Sequence, residues 1–351
     1  MSFQIIPKAR VPEWVEGLRS RQKVLGPTPV DGSYVFSETK VGQNLSLDYP
    51  TSLLPPKRAL LPPMEELLHF SRGAVEPQLA QDPVVLLGVH TCDLHAFGLL
   101  DRVYEQGVPD QHYSARRRAT TIVSVECLRP CTDHAFCKSM GTLTLPEAFD
   151  LHLTDLGEDY AVDVGSEKGA ALVEDAAGMR PAEAKDYDRL DRAMSEKWAR
   201  FPYRLDFDVS ELPSLLASSY RSDVWEKLGE RCLACGSCTM VCPTCTCFDV
   251  QDSVEFNLED GVRCRVWDSC QLGLFATVAG GHNFRAQRSA RVRHRFLRKG
   301  KYQREAYGLP GCVGCGRCAA ACLAHITPVD TFNALYRQRL EAQGRPEEVA
   351  A

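Results

Sequence analysis

Two short apolar runs in the first third of the chain predict buried strands. Residues 83–89 and 120–125 are rich in β-branched side chains and are bounded by glycine, proline or polar residues, which favours strands over helical segments of the same length. A helix over 94–104 is predicted between them by apolar residues at helical spacing, namely Leu94, Phe97, Leu100 and Tyr104. Because a strand, a helix and a strand in this order are typical of a βαβ unit, the pattern predicts an α/β domain.

The pattern elsewhere predicts a hairpin and two helices. Segments 150–156 and 160–164 flank a Gly-Glu-Asp turn and predict the hairpin, and 181–199 is predicted as a polar helix with proline at its start. A helix over 223–230 is predicted just before the first cysteine-rich segment. The first fifty residues are expected to be irregular, and the last twenty, which are polar, to be frayed.

Composition and charge are those of an ordinary globular protein, with one exception. The 351 residues are 44% apolar and carry a net charge of −5, which suits two or three domains and excludes a basic nucleic-acid binder. The exception is the sixteen cysteines. The N-terminus lacks the apolar run of a signal peptide, and no apolar segment is long enough to span a membrane. We therefore expect a cytoplasmic protein whose Cys-x-x-Cys repeats bind metal rather than form disulfides.

Two cysteine runs share one spacing and carry the strongest signal. Cys-x2-Cys-x2-Cys-x3-Cys occurs at 232–242 and again at 312–322, the pattern of ferredoxins with two [4Fe–4S] clusters, in which the fourth cysteine of each run ligates the other cluster. The expected ligands are Cys232, Cys235, Cys238 and Cys322 for one cluster, and Cys312, Cys315, Cys318 and Cys242 for the other. Pro243 follows the first run, whereas Leu323 stands at the equivalent position of the second.

Zinc is the main alternative for these thiols. Zinc sites use paired Cys-x2-Cys knuckles with four ligands each. Such knuckles do not account for a pattern of three evenly spaced cysteines and a more distant fourth that occurs in both runs. The spacing therefore favours iron–sulfur clusters.

The strand and helix pattern and the two cysteine runs together predict the domain organisation. We expect an α/β domain over 1–215, an α-helical, ferredoxin-like dicluster domain over 216–335 with a long insert at 243–311, and a polar tail over 336–351.

The insert carries two further features. Four more thiols, at Cys245, Cys247, Cys264 and Cys270, lack a usual ligand spacing and are interpreted as buried thiols near the clusters. Eight of the seventeen residues from 285 to 301 are basic and none is acidic. A solvated basic face is the ordinary interpretation, and the alternatives are a docking surface for an acidic electron-transfer partner or positive charge that raises a cluster potential. Nucleic acid is not expected there, because aromatic residues that could stack on bases are few.

The four cysteines that precede residue 232 predict a third site. Cys92 and Cys127 each follow a predicted strand, and parallel strands would bring both thiols to the carboxyl edge of the sheet. We predict a third [4Fe–4S] cluster on Cys92, Cys127 and Cys137, with Cys131 or Asp93 as the fourth ligand. Zinc and unligated core thiols are the alternatives. Three histidines lie near enough in sequence to replace a thiol: His90, His95 and His134.

With these residues in view, the chain resembles the β subunits of cytoplasmic sulfhydrogenases, which are NAD(P)-linked [NiFe] hydrogenases, and is similar to the electron-transfer subunit of the anaerobic sulfite reductase. The resemblance covers about residues 85–330. It rests on Gly88-Val-His-Thr-Cys-Asp93, Cys232-Leu-Ala-Cys-Gly-Ser-Cys238, Val241-Cys-Pro-Thr-Cys-Thr-Cys247, Val266-Trp-Asp-Ser-Cys270, Ala279-Gly-Gly-His-Asn-Phe-Arg285 and Cys312-Val-Gly-Cys-Gly-Arg-Cys318. Family members often carry a Cys-x-Cys pair where this chain has Ala135-Phe136-Cys137, and Cys131 is additional here.

The resemblance implies an electron-transfer subunit of a multisubunit oxidoreductase, with no catalytic residue of its own. It would relay electrons between a [NiFe] hydrogenase module and a subunit that binds flavin and NAD(P). The sequence has no Gly-x-Gly-x-x-Gly between a strand and a helix, so no dinucleotide site is expected in this chain. Two other interpretations stay open: electron transfer to sulfite reductase subunits, and an autonomous enzyme that binds its substrate at an incompletely ligated N-terminal cluster.

Overall fold

The strands of the molecule lie in two sheets. The computed structural model describes residues 3–42, 45–146, 149–174 and 176–344. Along the chain the strands are β1 (Gln4–Pro7), β2 (Lys23–Val30), β3 (Ser33–Glu38), β4 (Met64–Ser71), β5 (Ala74–Pro77), β6 (Val84–His90), β7 (Thr120–Val125), β8 (Leu151–Asp155), β9 (Asp159–Val164), β10 (Arg180–Pro181), β11 (Phe248–Val254) and β12 (Gly261–Trp267). The large sheet has the order β10-β1-β9-β8-β7-β6-β2-β3, and the small sheet has the order β11-β12-β4-β5.

The helices divide between the two halves of the chain. Those of the N-terminal half are α1 (Val11–Arg19), α2 (Thr91–Glu105), α3 (Gln111–Ala119), α4 (Glu167–Val173) and α5 (Ala184–Lys197). Those of the C-terminal half are α6 (Leu212–Ser218), α7 (Val224–Arg231), α8 (Ser237–Met240), α9 (Arg288–Leu297), α10 (Gln303–Tyr307), α11 (Arg317–Ala320) and α12 (Pro328–Ala342). Across the described ranges, no helix is both long and apolar enough to cross a membrane.

The predicted βαβ unit is confirmed as β6, α2 and β7. The two strands pair in parallel, with His90 opposite Val125 at their carboxyl ends. Nearly every residue of both strands is buried, as expected of parallel strands covered on both faces. Helix α2 begins at Thr91, directly after β6, so Cys92 lies in its first turn. The residues that follow the two strands therefore meet at one edge of the sheet.

The other sequence predictions for the N-terminal half are confirmed in part. The hairpin is present as β8 and β9. Helix α5 begins at Ala184 rather than at 181, because Arg180 and Pro181 pair with β1. The expectation of an irregular first fifty residues is wrong, since they contain β1, α1, β2 and β3. Strand β2 includes Pro27 and Pro29, and such prolines usually indicate that a segment is not a strand.

Helices α6, α7, α9 and α12 pack around an aromatic core in the C-terminal half. Trp225, Phe296 and Phe332 are almost fully buried. The Trp225 and Phe296 ring centroids lie 5.9 Å apart, and those of Phe296 and Phe332 lie 5.5 Å apart, edge to face. Cys232 and Cys322 pack against this core. The helices thus form the support on which both cysteine runs rest.

The long insert is not wholly helical. Strands β11 and β12 form a hairpin, and β12 pairs with β4, so the insert completes a sheet that begins in the N-terminal half. Arg265 of β12 is buried there and binds the carboxylates of Glu65 and Asp110. The expected helical character of 216–335 is therefore wrong for this segment, because its strand partner and its buried counter-charges lie far away in the sequence.

Candidate iron–sulfur centres

The two cysteine runs adopt the same local conformation. Each passes through a left-handed glycine, Gly236 (φ 81°, ψ −13°) or Gly316 (φ 77°, ψ −14°), and then forms a one-turn helix, α8 or α11. Glycine tolerates these torsions because it has no Cβ. The two short helices pack against each other. The repeat in the cysteine spacing is therefore also a repeat in the backbone.

A first group of thiols lines one small cavity between the runs. The cavity has a volume of about 30 Å³ and is lined by Cys232, Cys235, Cys238 and Cys322. The backbone N–H of Ala234 donates a hydrogen bond of 3.4 Å to the sulfur of Cys232, and that of Ile326 donates one of 3.3 Å to Cys322. Such donors stabilise negative charge on sulfur. The structure brings together the four residues that the spacing predicts for one cluster.

A second group of thiols is more enclosed. It consists of Cys242, Cys312, Cys315 and Cys318, of which all but Cys312 are buried. Burial raises the pKa of the Cys315 thiol to about 12, and the neighbouring Cys318 and Cys242 act in the same direction. Cys242 thus lies with the second run although it belongs to the first, which is the placement that crossed ligation requires.

The N-terminal thiols form a third group beside the second. Cys92 and Cys137 are buried in one cluster with Cys315, and Cys127 lies at the edge of that cluster. The hydroxyl of Thr91 is 3.8 Å from the Cys127 sulfur. Burial raises the pKa of the Cys131 thiol well above its usual value, and the nearby Cys127 contributes. The four cysteines that precede residue 232 therefore come together at the carboxyl edge of β6 and β7.

Asp93 and His95, two of the side chains considered as substitutes for a thiol, have polar partners, whereas His90 and His134 make ring contacts. Both oxygens of Asp93 accept hydrogen bonds of 2.7 Å from Arg317. The His90 ring stacks on Tyr49 with centroids 4.4 Å apart, and His95 Nε2 lies 2.8 Å from the Thr144 carbonyl oxygen. A fourth candidate, His134, lies edge-on to Tyr203 at 6.1 Å. Cys131 is the remaining thiol that could take the fourth position of this group.

Two of the insert thiols lie beside buried lysines, Lys57 of the N-terminal half and Lys299 of the insert, which the sequence did not indicate. Cys245 lies against Cys242, and Cys247 against Cys270. Lys57 Nζ donates a hydrogen bond of 2.7 Å to the Cys245 carbonyl, and Lys299 Nζ donates one of 2.7 Å to Thr244, whose hydroxyl is 3.3 Å from the Cys242 sulfur. Both lysines are buried. Within the described ranges neither ammonium group pairs with a carboxylate.

The basic segment 285–301 turns part of its charge inward. Arg291, Arg295 and Lys299 follow one another at helical spacing and are buried, whereas Arg288 is exposed. Burial by itself lowers the pKa of Lys299, but the nearby Cys242 and Cys245 sulfurs outweigh burial and hold the pKa above its usual range. The interpretation of this segment as a solvated face is therefore wrong for these three residues, because the inward face of α9 and its continuation carries them.

These surroundings fit anionic iron–sulfur clusters. An isolated ammonium or guanidinium group is costly to bury unless negative charge compensates it. Lys57, Lys299 and Arg295 lie among thiols of the first and second groups, and an all-thiolate cluster would supply that charge. In the part of the chain that the structure describes, no three His, Cys, Asp or Glu side chains lie close enough to hold a single metal ion.

Comparison with known proteins agrees with this geometry. A family model described as a 4Fe-4S dicluster domain matches residues 231–326, the stretch that holds both cysteine runs. The sulfhydrogenase 2 subunit beta of Pyrococcus furiosus is 36% identical over 322 residues, which cover 92% of this chain and 95% of that protein. No solved structure matches the chain. The resemblance inferred from the sequence is thereby confirmed, and the chain belongs to the family of the sulfhydrogenase β subunits.

Proposed function

We propose that the chain is an electron-transfer subunit in which three iron–sulfur centres lie in series. The observation that carries the proposal is the contact between the thiol groups. Cys92 and Cys137 of the N-terminal group pack against Cys315 of the second group. Arg295 lies near both Cys238 of the first group and Cys318 of the second. Electron transfer between protein-bound centres needs each centre to lie close to the next.

The ligand sets follow the three groups. The first group would hold one [4Fe–4S] cluster, on Cys232, Cys235, Cys238 and Cys322. The second would hold another, on Cys242, Cys312, Cys315 and Cys318. The N-terminal group would hold a third, on Cys92, Cys127, Cys131 and Cys137. Cys131 is preferred to Asp93 as the last of these ligands, because both Asp93 oxygens are engaged by Arg317.

The two ends of this series differ, which suits a relay between two partners. Cys235 of the first group is exposed. The N-terminal group instead borders a cavity of about 380 Å³, to which Cys127 and Cys131 contribute. We infer that the chain relays electrons between a [NiFe] catalytic subunit and one that binds flavin and NAD(P), as the resemblance to sulfhydrogenase β subunits implies; the relative's name is that of a sulfhydrogenase subunit.

The cavity supports a second candidate function, the reduction of a small substrate beside the N-terminal group. His90 lines the cavity, and its Nδ1 is buried without a hydrogen-bond partner among the described residues. An unsatisfied buried nitrogen is costly, so a bound molecule that pairs with it would gain affinity. In this alternative the chain would be an enzyme rather than a relay.

Electron exchange by the isolated full-length chain, reconstituted anaerobically, separates the two candidates. As a relay, it should take electrons from dithionite and return them to a viologen, yet oxidise neither hydrogen nor NAD(P)H. The variant His90→Ala should leave this exchange unchanged. Turnover of hydrogen or NAD(P)H by the single chain, or exchange that needs His90, would contradict the relay and favour a reaction in the cavity.

A further inference from the structure

Equivalent apolar residues of the two cysteine runs differ sharply in exposure. The residue after the first cysteine is Leu233 in one run and Val313 in the other, and they are 59% and 3% exposed. The residue after the fourth cysteine is Leu323 in the second run, 78% exposed, and Pro243 in the first, which is buried. Leu233 and Leu323 both border the cavity of the first group. The surroundings of the first group are therefore apolar but uncovered.

The N-terminal half of the chain covers the matching surface of the second group. The Phe136 N–H donates a hydrogen bond of 2.8 Å to the Gly314 carbonyl. A Cβ at Gly314 would lie 2.6 Å from the Cys137 Cα, so the two backbones touch. Val313 packs with Cys137 and Phe201. At the first group the position equivalent to Gly314 is Ala234, which keeps its side chain despite a φ of 54°.

Two arginines border the uncovered surface. Arg288 donates a hydrogen bond of 2.9 Å to the Cys232 carbonyl, and Arg231 donates one of 2.8 Å to the Ala324 carbonyl. Neither forms an ion pair within the described residues. Three additional exposed apolar side chains lie in the segment that precedes α9, at Leu272, Leu274 and Phe284. An apolar surface with a charged rim is typical of a protein–protein interface.

We propose that Leu233, Cys235 and Leu323, with Arg231 and Arg288 at the rim, form the docking surface for a redox partner subunit. This inference rests on the proposed electron-transfer function. The partner would present an apolar patch ringed by carboxylates, because the rim is basic and charge complementarity orients such contacts. It would cover the first group as the N-terminal half covers the second, and it would exchange electrons where Cys235 reaches the surface.

The test compares the double variant Leu233→Asp/Leu323→Asp with the matched control Val41→Asp/Val108→Asp, whose valines are 84% and 93% exposed elsewhere. Subunits separated from the native complex are titrated back onto each full-length chain at two salt concentrations. The leucine variant should bind at least ten-fold more weakly, the control should bind like wild type, and iron content should stay unchanged in both. Wild-type binding should weaken as salt rises.

Hydrogen exchange provides a second measurement that needs no variant. Segments 231–236 and 322–325 of the wild-type chain should exchange more slowly in the native complex than in the isolated chain. Equal exchange there, equal binding by the two variants, or a homodimer joined through this surface would overturn the inference. Failure of the wild-type chain to bind iron would instead overturn the proposed function, so the two failures can be told apart.

Discussion

The Arg317 guanidinium donates two hydrogen bonds of 2.7 Å to the Asp93 carboxylate, and both side chains are almost completely buried. Asp93 lies in the first turn of α2, one residue after Cys92, and Arg317 lies between Cys315 and Cys318. Arg317 also donates a hydrogen bond of 3.0 Å to the Ser52 carbonyl. This ion pair joins the N-terminal thiol group to the second group and fixes one against the other.

Breaking this ion pair should destabilise the chain strongly. Arg317→Met leaves the Asp93 carboxylate buried without its counter-charge, which typically costs about 3–5 kcal/mol. Arg337→Met is the matched control, because the Arg337–Asp206 pair is exposed and such pairs contribute at most about 1 kcal/mol. Denaturant unfolding of the iron-loaded chain measures both. Similar losses in the two variants would show that the buried pair does not hold the halves together.

Removing the charge of Lys299 should lower the potential of the second cluster. Its ammonium group contacts Thr244 beside Cys242, and a nearby buried cation favours the reduced, more negative state of a cluster. We expect Lys299→Met to shift the midpoint downward by tens of millivolts, on the order that a partly screened charge gives. The control Lys301→Met removes a lysine that pairs with Glu305 at the surface. Redox titration followed by electron paramagnetic resonance should show no shift in the control.

Substitution of Cys242 should damage the cluster of the other run. In Cys242→Ser, the signal of the cluster held by Cys312, Cys315 and Cys318 should change, while that of the first group persists, because the fourth ligand is crossed. Cys264→Ser is the control, since Cys264 lies within strand β12 of the small sheet. Spectra that lose the cluster of the first group in Cys242→Ser would refute the crossed assignment.

A side chain at Gly314 should disturb the N-terminal group. In Gly314→Ala the new Cβ would meet the Cys137 backbone at 2.6 Å, in addition to the strain of a φ of +66°. Gly32→Ala separates the two effects, because Gly32 has a φ of +76° with nothing within 4 Å. The control should lose about 1 kcal/mol, and Gly314→Ala should lose more and release iron. Equal stability and full iron content in both variants would argue against the close contact.

The two cysteine runs could be recognised from the sequence because their spacing and conformation are local. Each run places three of its thiols on one loop, and Gly236 and Gly316 allow that loop to turn. The meeting of Cys92 and Cys127 was also predictable, since a parallel βαβ unit brings consecutive strand ends together.

The charges around the thiols could not be predicted in this way. Lys57 reaches Cys245 across 188 residues, and Arg317 reaches Asp93 across 224. No local pattern marks such partners. The pairing of β12 with β4 was missed for the same reason. The interpretation of segment 285–301 as a solvated face was wrong for Arg291, Arg295 and Lys299, because spacing shows which residues share a helix face but not which face is buried.

Iron and acid-labile sulfide analysis of the full-length chain, purified without oxygen and paired with Mössbauer spectroscopy, tests the three-centre account most directly. Three [4Fe–4S] clusters predict about twelve irons and about twelve sulfides per chain. The variant Cys127→Ser should lower both toward about eight without affecting the two ferredoxin-type clusters. A wild-type value of about eight irons, unchanged in Cys127→Ser, would contradict the N-terminal centre, and zinc with little iron would contradict all three.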